Sequence, residues 1–354
     1  MESCSIDFQG KTILLLCPNF YDYKELIMKE LEKLGAKVIY VENKMFPEDW
    51  RCCTFLPISL VKYCKNPKYK TNYIRDILKL VEGVNIDHLF AINGFCVTKN
   101  LISKLKKQNP QIKTSLFLWD SLCYWKYSHI IALFDYKFSF DHNDCCRYAN
   151  LGLKYLPDFF IGDKTDTKYY YDVVHIGSVS VFSADRIKIL NEIQNECDAK
   201  GLKSYIRVVT KLPVDMRENI FRHFLYFFFS CKHRKLYYYL YKYRDSKILT
   251  NDHLGIEEVH KIESSSRVVI DIPPSKQMGL TIRSLEALNR GQKLITTNNG
   301  IQLDSFYNSN NVFIINSNST PKIDKSFINK PVEKINIDYL HISKWVKIIL
   351  CGSV

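Results

Sequence analysis

The chain has 354 residues, 46% of them hydrophobic, and 50 lysines and arginines against 37 aspartates and glutamates give a net charge of +13. That length exceeds one ordinary α/β core and suits two domains, and the charge fits either an acidic partner (nucleic acid, anionic lipid, a phosphorylated small substrate) or a generally basic surface. No C-x-x-C occurs among the twelve cysteines, no basic segment followed by a long apolar run opens the chain, and no apolar stretch reaches the roughly 20 residues that span a bilayer, which argues against a zinc or dithiol site, a signal peptide and a membrane span. Reduced thiols in a cytoplasmic protein, soluble or resting on a surface, are expected.

Lys11 to Cys17 reads as a buried strand, followed by a helix with Leu26, Ile27, Leu31 and Leu34 on one face and Gly35 at its end, then a strand from Lys37 to Val41. The alternation continues through Asp87 to Ile92, a helix from Thr98 to Lys107, and strands at Lys113 to Trp119 and Tyr136 to Phe140. This predicts a parallel sheet covered on both faces, whose ligands sit at the strands' carboxyl ends. Polar residues stand there: Asn19 to Asp22, Asn93-Gly94, Trp119-Asp120-Ser121 and Asp141-His142-Asn143-Asp144. Asp22 and Ser121 are also suited to helix capping, and His142 to a structural role. Asp120 lies between an apolar strand and the run Cys123, Tyr124, Trp125, where partial burial raises a carboxylate toward general-base duty. Asp141 and Asp144, three apart without further ligands, are a weak metal signal, and no metal is expected.

The pattern breaks around Leu156 to Asp163, placing one domain at 1–160, a second at 161–335, and a terminal helix at 336–354 that can pack back on the first. The second series begins with a strand at Asp172 to Ile176, the turn Gly177-Ser178, and a helix from Ala184 to Ala199 carrying Ile187, Leu190, Ile193 and Cys197 on one face. Gly177 and Ser178 let backbone amides approach a phosphate, and Arg186 adds charge near the helix start. After a strand at Ser204 to Val209, the segment from Arg217 to Arg244 holds seven lysines and arginines against one acid, Glu218, interleaved with aromatics. Such a segment suits single-stranded nucleic acid, an anionic membrane surface, or packing with its cations solvated. Arg222, Phe227, Phe228, Lys232, Arg234 and Lys235 are its membrane-docking candidates.

From Arg267 to Asn299 the chain reads strand, loop, helix, strand. Val268 to Ile272 is closed by Pro273 and Pro274, Thr281 is suited to cap a helix carrying Ile282, Leu285 and Leu288, Arg290 and Gly291 end it, and Lys293 to Thr297 follows as a strand. Arg283 and Glu286 lie three apart near the helix start, a cation suited to a diphosphate and a carboxylate able to accept from a sugar diol. Val312 to Ile315 is the last strand, Ser317 to Pro331 a polar loop, and Asp338 to Leu350 an amphipathic helix. The two similar halves predict an α/β protein with two Rossmann-like domains whose parallel sheets face across a cleft.

At Gly279 to Leu288, followed by Lys293 to Asn298, the chain resembles bacterial glycosyltransferases of the GT-B type, and more closely those encoded with capsule and O-antigen (lipopolysaccharide) genes. The likeness extends to Phe117 to Ser121, Tyr136 to Asp141 and Tyr171 to Ser178. The resemblance implies that the amino-terminal domain holds the acceptor, with Asn93, Gly94, Asp141 and His142 on that side, and that the carboxyl-terminal domain holds a nucleotide-sugar donor. Glu286 matches the ribose-binding carboxylate and Arg283 faces the diphosphate; Gly279, Thr281 and Ser284 belong to the same loop-helix motif. The retaining GT-B group carries a second glutamate eight positions earlier, where this chain has Met278. An inverting, metal-independent mechanism with a carboxylate base follows, Asp120 first and Asp22 second. The expected activity is transfer of a sugar from a nucleotide-diphosphate donor to a lipid-linked surface glycan at the inner face of the cytoplasmic membrane, with no cofactor. A nucleotide-sugar epimerase shares the fold and the donor site, and a basic nucleic-acid-binding protein fits the charge, although no recognisable nucleic-acid motif accompanies it.

Overall fold

A computed structural model describes residues 7–20, 22–43, 67–125, 128–162, 168–210, 228, 231–316 and 319–353. The chain divides into two compact units, Met1–Phe159 with Asp338–Val354, and Phe160–Ile337.

In the first unit the strands β1 (Thr12–Cys17), β2 (Lys37–Glu42), β3 (His88–Ile92), β4 (Lys113–Leu118), β5 (Tyr136–Ser139) and β6 (Lys154–Tyr155) form one parallel sheet in the order β2-β1-β3-β4-β5-β6. Its helices include α1 (Tyr23–Lys33), α2 (Pro67–Leu80), α3 (Lys99–Gln108) and α4 (His142–Arg147). The central strands β1 and β3 are buried along almost their whole length, as continuous apolar runs require when both sheet faces are covered. Thr98 caps α3 by accepting from the Leu101 amide.

The terminal helix Ile342–Cys351 belongs to this unit. Its Trp345 ring packs on Phe117 and Phe159 at centroid distances of 4.6 and 4.7 Å, and its indole nitrogen donates to the Pro157 carbonyl at 3.1 Å. Gly352 ends the helix at φ +73°, and a Cβ there would collide with the Tyr136 ring, so the position needs glycine twice over.

The second unit carries β7 (Tyr171–Ser178), α5 (Asp185–Ala199), β8 (Ser204–Val209), α6 (Cys231–Lys242), β9 (Leu249–Thr250), α7 (Ile256–Ser264), β10 (Ser266–Asp271), α8 (Ile282–Asn289), β11 (Lys293–Thr296) and β12 (Val312–Ile314). Its parallel sheet runs β12-β11-β10-β7-β8-β9. Each sheet reverses its direction of growth once, between β1 and β3 in the first unit and between β7 and β10 in the second. The crevice outside the carboxyl ends of those two strands is where an open α/β sheet accommodates a ligand.

Some elements differ from the sequence expectations. The polar strand end Asp141 to Asp144 runs into a helix, His142–Arg147, because Asp141 caps it, accepting from the Asn143 amide at 2.9 Å. A short helix, Lys325–Asn329, lies inside the expected polar loop, started by Asp324 accepting from Ser326 N. Cys17, Cys96, Cys123, Cys145, Cys146, Cys197 and Cys231 are thiols, whereas Cys351 is disulfide-bonded, against the expectation of thiols throughout; spacing along a chain does not show which sulfurs meet in space.

Candidate functional site

The crevice in the second unit is a parting of strands. β7 stays paired with β8 as far as Ser178, and β10 with β11 as far as Asp271, but β7 and β10 pair with each other only to Val174 and Val269. Beyond that point side chains take the carbonyls. His175 Nδ1 bonds Ile270 O at 2.8 Å, Arg283 Nη2 donates to Ile176 O at 2.5 Å, and Arg186 donates through Nε to Ile272 O at 2.8 Å and through Nη1 to Ser178 O at 2.5 Å. Two guanidiniums and a buried imidazole therefore sit at the mouth of the switch point.

Asp271, the last residue of β10, ties the crevice to the helix beyond it. Its carboxylate accepts from Thr281 Oγ1 at 2.7 Å, Ser284 Oγ at 2.8 Å and Arg283 Nη1 at 3.2 Å. Burial works to raise its pKa, but Arg283, Thr281, Arg186 and Ser284 outweigh burial and hold it below the usual aspartate range. Thr281 also caps α8, as expected, by accepting from Ser284 N at 3.3 Å. Arg186 is pushed down to about 10, chiefly by burial, with Asp271 drawing it up and the neighbouring Arg283 drawing it down. The carboxylates here bond to Arg283, whereas the hydrogen bonds of Arg186 go to carbonyls, so Arg186 is the cation better placed to meet an anionic ligand.

The placement of the expected donor residues is uneven. Gly177, Ser178, Arg186, Thr281, Arg283 and Ser284 are gathered at this crevice. Arg283 is already engaged, since Nε donates to Glu263 at 2.8 Å besides its bonds to Asp271 and Ile176, while the hydrogen bonds of Arg186 go to carbonyls. The hydroxyls of Thr281 and Ser284 serve Asp271. The Gly279 carbonyl accepts from Asn298 Nδ2 at 2.9 Å, which fixes the loop before α8. Glu286 lies one turn deeper, 3% exposed; Oε2 faces Arg290 at 3.4 Å and His260 at 3.5 Å, and Oε1 is buried without a partner. Asp271, Glu263 and His175 are functional-site residues that the sequence reading does not single out. A strand-terminal aspartate ten positions before a Thr cap was the available signal for the first.

In the first unit the base candidate Asp120 is held in place. Asn93 Nδ2 donates to Asp120 Oδ2 at 2.7 Å while Asn93 Oδ1 accepts from Trp119 N at 3.2 Å, and Asn93 adopts φ +51° to do both. Burial raises the Asp120 pKa, with the bonds from Asn93 and Trp119 acting the other way. Asp158, absent from the sequence candidates, is buried with Oδ1 unpartnered; burial and then the charge of Asp120 push it well above the ordinary aspartate range. Asn43, also unanticipated, donates to the carbonyls of Ile92 and Asn93 at 3.0 and 2.8 Å and so fixes the end of β3.

The remaining candidates fall in varied places. Asp22 is exposed at the start of α1 and its side chain makes no cap bond. Gly94 is where Ile130 packs closest, leaving no room for a Cβ. Asp141 caps α4, and His142 stacks on Tyr155 at 3.6 Å. Arg222 and Phe227 lie outside the described residues. Phe228 is 56% exposed, Lys235 pairs with Asp185 at 2.6 Å, Lys232 sits over the Phe182 ring at 4.6 Å, and Arg234 donates to Cys231 Sγ at 2.8 Å. Among the described residues no helix is long and apolar enough to cross a membrane.

Solved structures share this architecture end to end. A UDP-forming α,α-trehalose-phosphate synthase from Burkholderia xenovorans superposes with a TM-score of 0.56 at 9% identity, covering 98% of this chain and 96% of that one. The corresponding enzyme from Burkholderia vietnamiensis gives 0.54 at 10% identity, with 96% of each chain covered. A UDP-GlcNAc 2-epimerase from Methanocaldococcus jannaschii, in complex with UDP-GlcNAc and UDP, gives 0.50 at 12% identity, covering 96% of this chain and 99% of that one. The fold is GT-B. No protein-family model matches the sequence, and no curated protein matches it. In GT-B terms, the parted strands β7 and β10 lie in the carboxyl-terminal Rossmann-like unit and Asp120 in the amino-terminal one.

Proposed function

We propose that this GT-B protein is a glycosyltransferase that moves a sugar from a nucleotide-diphosphate donor to a glycan acceptor. The observation that carries the reading is the parting of β7 and β10 around Arg186 and Arg283, a cation-rich crevice at a topological switch point with a helix start beside it. Negative charge grows on the leaving nucleoside diphosphate as the glycosidic bond breaks, and fixed cations answer it without reorganising. Arg186 faces the diphosphate, Arg283 sets the crevice's shape and charge, and Glu286 accepts from the ribose diol through its unpartnered Oε1. Asp120, aimed by Asn93, takes the proton from the acceptor hydroxyl, so the chemistry is inverting and needs no metal. A lipid-linked surface glycan as acceptor, and an anionic membrane as docking surface for α6, follow from the sequence resemblance and the basic aromatic composition of that segment.

Thermal-shift screening of the purified protein against UDP-, GDP-, ADP- and TDP-sugars tests the reading. A stabilising nucleotide sugar whose effect is lost in Arg186→Ala is the expected result, and no stabilisation by any of them overturns it. The epimerase alternative is supported by the same donor chemistry, and product analysis separates the two. An epimerase converts the nucleotide sugar without an acceptor, whereas a transferase releases nucleoside diphosphate only when one is present.

A further inference from the structure

An aromatic surface stands beside Asp120 at the end of the first sheet. Phe20, just past the end of β1, is 55% exposed. A lone exposed phenylalanine is ordinary, but this one is held in place. Its amide donates to the Pro18 carbonyl at 3.1 Å, its ring stacks on Tyr23 at a centroid distance of 6.4 Å and 29°, and Tyr23 meets the buried Phe159 edge-on at 5.9 Å. Phe159 packs in turn on Trp345 in the core. A chain of ring contacts thus runs from the core of this unit out to a phenyl ring that faces solvent.

The same phenyl ring stands 6.4 Å from the half-buried Trp119, tilted by 58°, so the two form an open angle and not a parallel slot. Trp119 is tied to the base candidate. Its amide donates to Asn93 Oδ1 at 3.2 Å, its side chain bonds the Asp120 carboxylate, and Asn93 Nδ2 donates to Asp120 at 2.7 Å. Rings beside convergent polar groups at the carboxyl ends of β1, β3 and β4, where the strand order reverses, mark a ligand groove. A pyranose ring offers the matching chemistry. Its C–H hydrogens meet the electron-rich face of an arene, and its rim carries hydroxyls that donate to a carboxylate. An alkyl chain in that place would strip water from Asp120 and return no hydrogen bond. A nucleobase is held best between parallel rings.

We propose that Phe20 and Trp119 form the platform for a pyranose ring of the acceptor, with a C–H face of the sugar against the rings and a hydroxyl at its rim directed to Asp120. The platform rests on the transferase reading above and deepens it: the acceptor is recognised through a sugar ring, and Phe20 sets the orientation in which that sugar's hydroxyl meets the base.

Saturation-transfer NMR of the full chain with the methyl glycosides of glucose, galactose, mannose and N-acetylglucosamine tests this, on the wild type, Phe20→Ala and Phe20→Tyr, with folding of each checked by circular dichroism. Phe20 is exposed, so neither variant opens the core. Expected is transfer to the C–H protons of one sugar face for at least one glycoside, about tenfold weaker binding in Phe20→Ala, and recovery in Phe20→Tyr, which keeps the ring. No transfer to any of the glycosides, or transfer unchanged in Phe20→Ala, overturns the platform. Wild-type protein that sediments with neutral phosphatidylcholine vesicles while Phe20→Ala does not makes the ring a membrane contact and overturns it as well. A second measurement needs no change at Phe20. In protein labelled with 5-fluorotryptophan, the Trp119 resonance, identified by its loss in Trp119→Phe, must move when the bound glycoside is added, and a fixed resonance overturns the proposal. Failure of the transferase reading is a distinct outcome: a chain that binds a glycoside through Phe20 but no nucleotide sugar keeps the platform and loses the donor.

Discussion

Asp120 and Asp158 show how two carboxylates of one type acquire different chemistry from their surroundings. Burial raises both, but Asp120 receives bonds from Asn93 and Trp119 that favour its charged form, whereas Asp158 has an unpartnered oxygen and feels the charge of Asp120, so Asp158 is raised the further of the two. Two consequences follow at this scale. Asp120→Asn should abolish transfer while leaving nucleotide-sugar affinity unchanged, and in the wild type the rate should fall as pH drops through a carboxylate pKa above the ordinary range; an active Asp120→Asn enzyme eliminates it as the base. For Asp158 the sign runs through stability. Its folded pKa exceeds its unfolded one, so between the two the native state binds more protons, and stability declines as pH climbs from about 4 through the folded pKa. Asp158→Asn, a mimic of the neutral acid, should melt with the wild type near pH 4 and progressively above it as pH rises. Each tenfold of proton affinity contributes about 1.4 kcal/mol, or roughly 3–6 °C for a unit of this size. Parallel melting curves at pH 4 and pH 8 would show Asp158 to be ionised in the native state.

At the scale of elements, the strand-loop-helix from β10 to α8 is held by charge more than by its loop. Asp271 joins the end of β10 to Thr281, Ser284 and Arg283 of the helix start, and Glu263 at the end of α7 joins the same arginine. Asp271→Ala removes a buried anion from between two cations and should cost about 3–5 kcal/mol in chemical denaturation, against much less for a surface carboxylate. A loss under 1 kcal/mol would mean that water already screens this cluster. The same element shows what a sequence reveals and what it hides. The proline stop after Ile272, the Thr281 cap and the terminating glycine were legible because each acts on its immediate neighbours. The engagement of Arg283 by Glu263, twenty positions away, and the parting of β7 from β10 were not, because they depend on which strands become adjacent. The division between the two arginines is therefore a tertiary fact: Arg283 of the motif is held by carboxylates, whereas Arg186, on another helix, holds carbonyls, which on the donor-site reading leaves its charge for the anion.

At the scale of the molecule, the two units differ in how they are assembled from the chain. The second is continuous, Phe160–Ile337, with its sheet and core contained in that stretch, whereas the first is closed by residues from the far end of the sequence. The terminal helix supplies Trp345, Val346, Ile349 and Leu350, all essentially inaccessible to solvent, to the face carrying Phe90, Phe117 and Phe159. Removing one large buried aromatic costs about 3–5 kcal/mol, and a whole domain has only about 5–15 kcal/mol of stability. Deleting residues 338–354 should therefore unfold the first unit at ambient temperature while the second keeps its own transition. Calorimetry of the truncated chain would show one transition in place of two, and binding of a hydrophobic dye would rise. Residues 160–337 expressed alone should melt cooperatively and retain whatever nucleotide the full chain binds, because Arg186, Arg283, His175 and Glu286 all lie inside that stretch. The converse fragment, 1–159, leaves the aromatic face open and should not fold without the helix. If that fragment folds alone with full stability, the terminal helix is an ornament of the first unit and not part of its core.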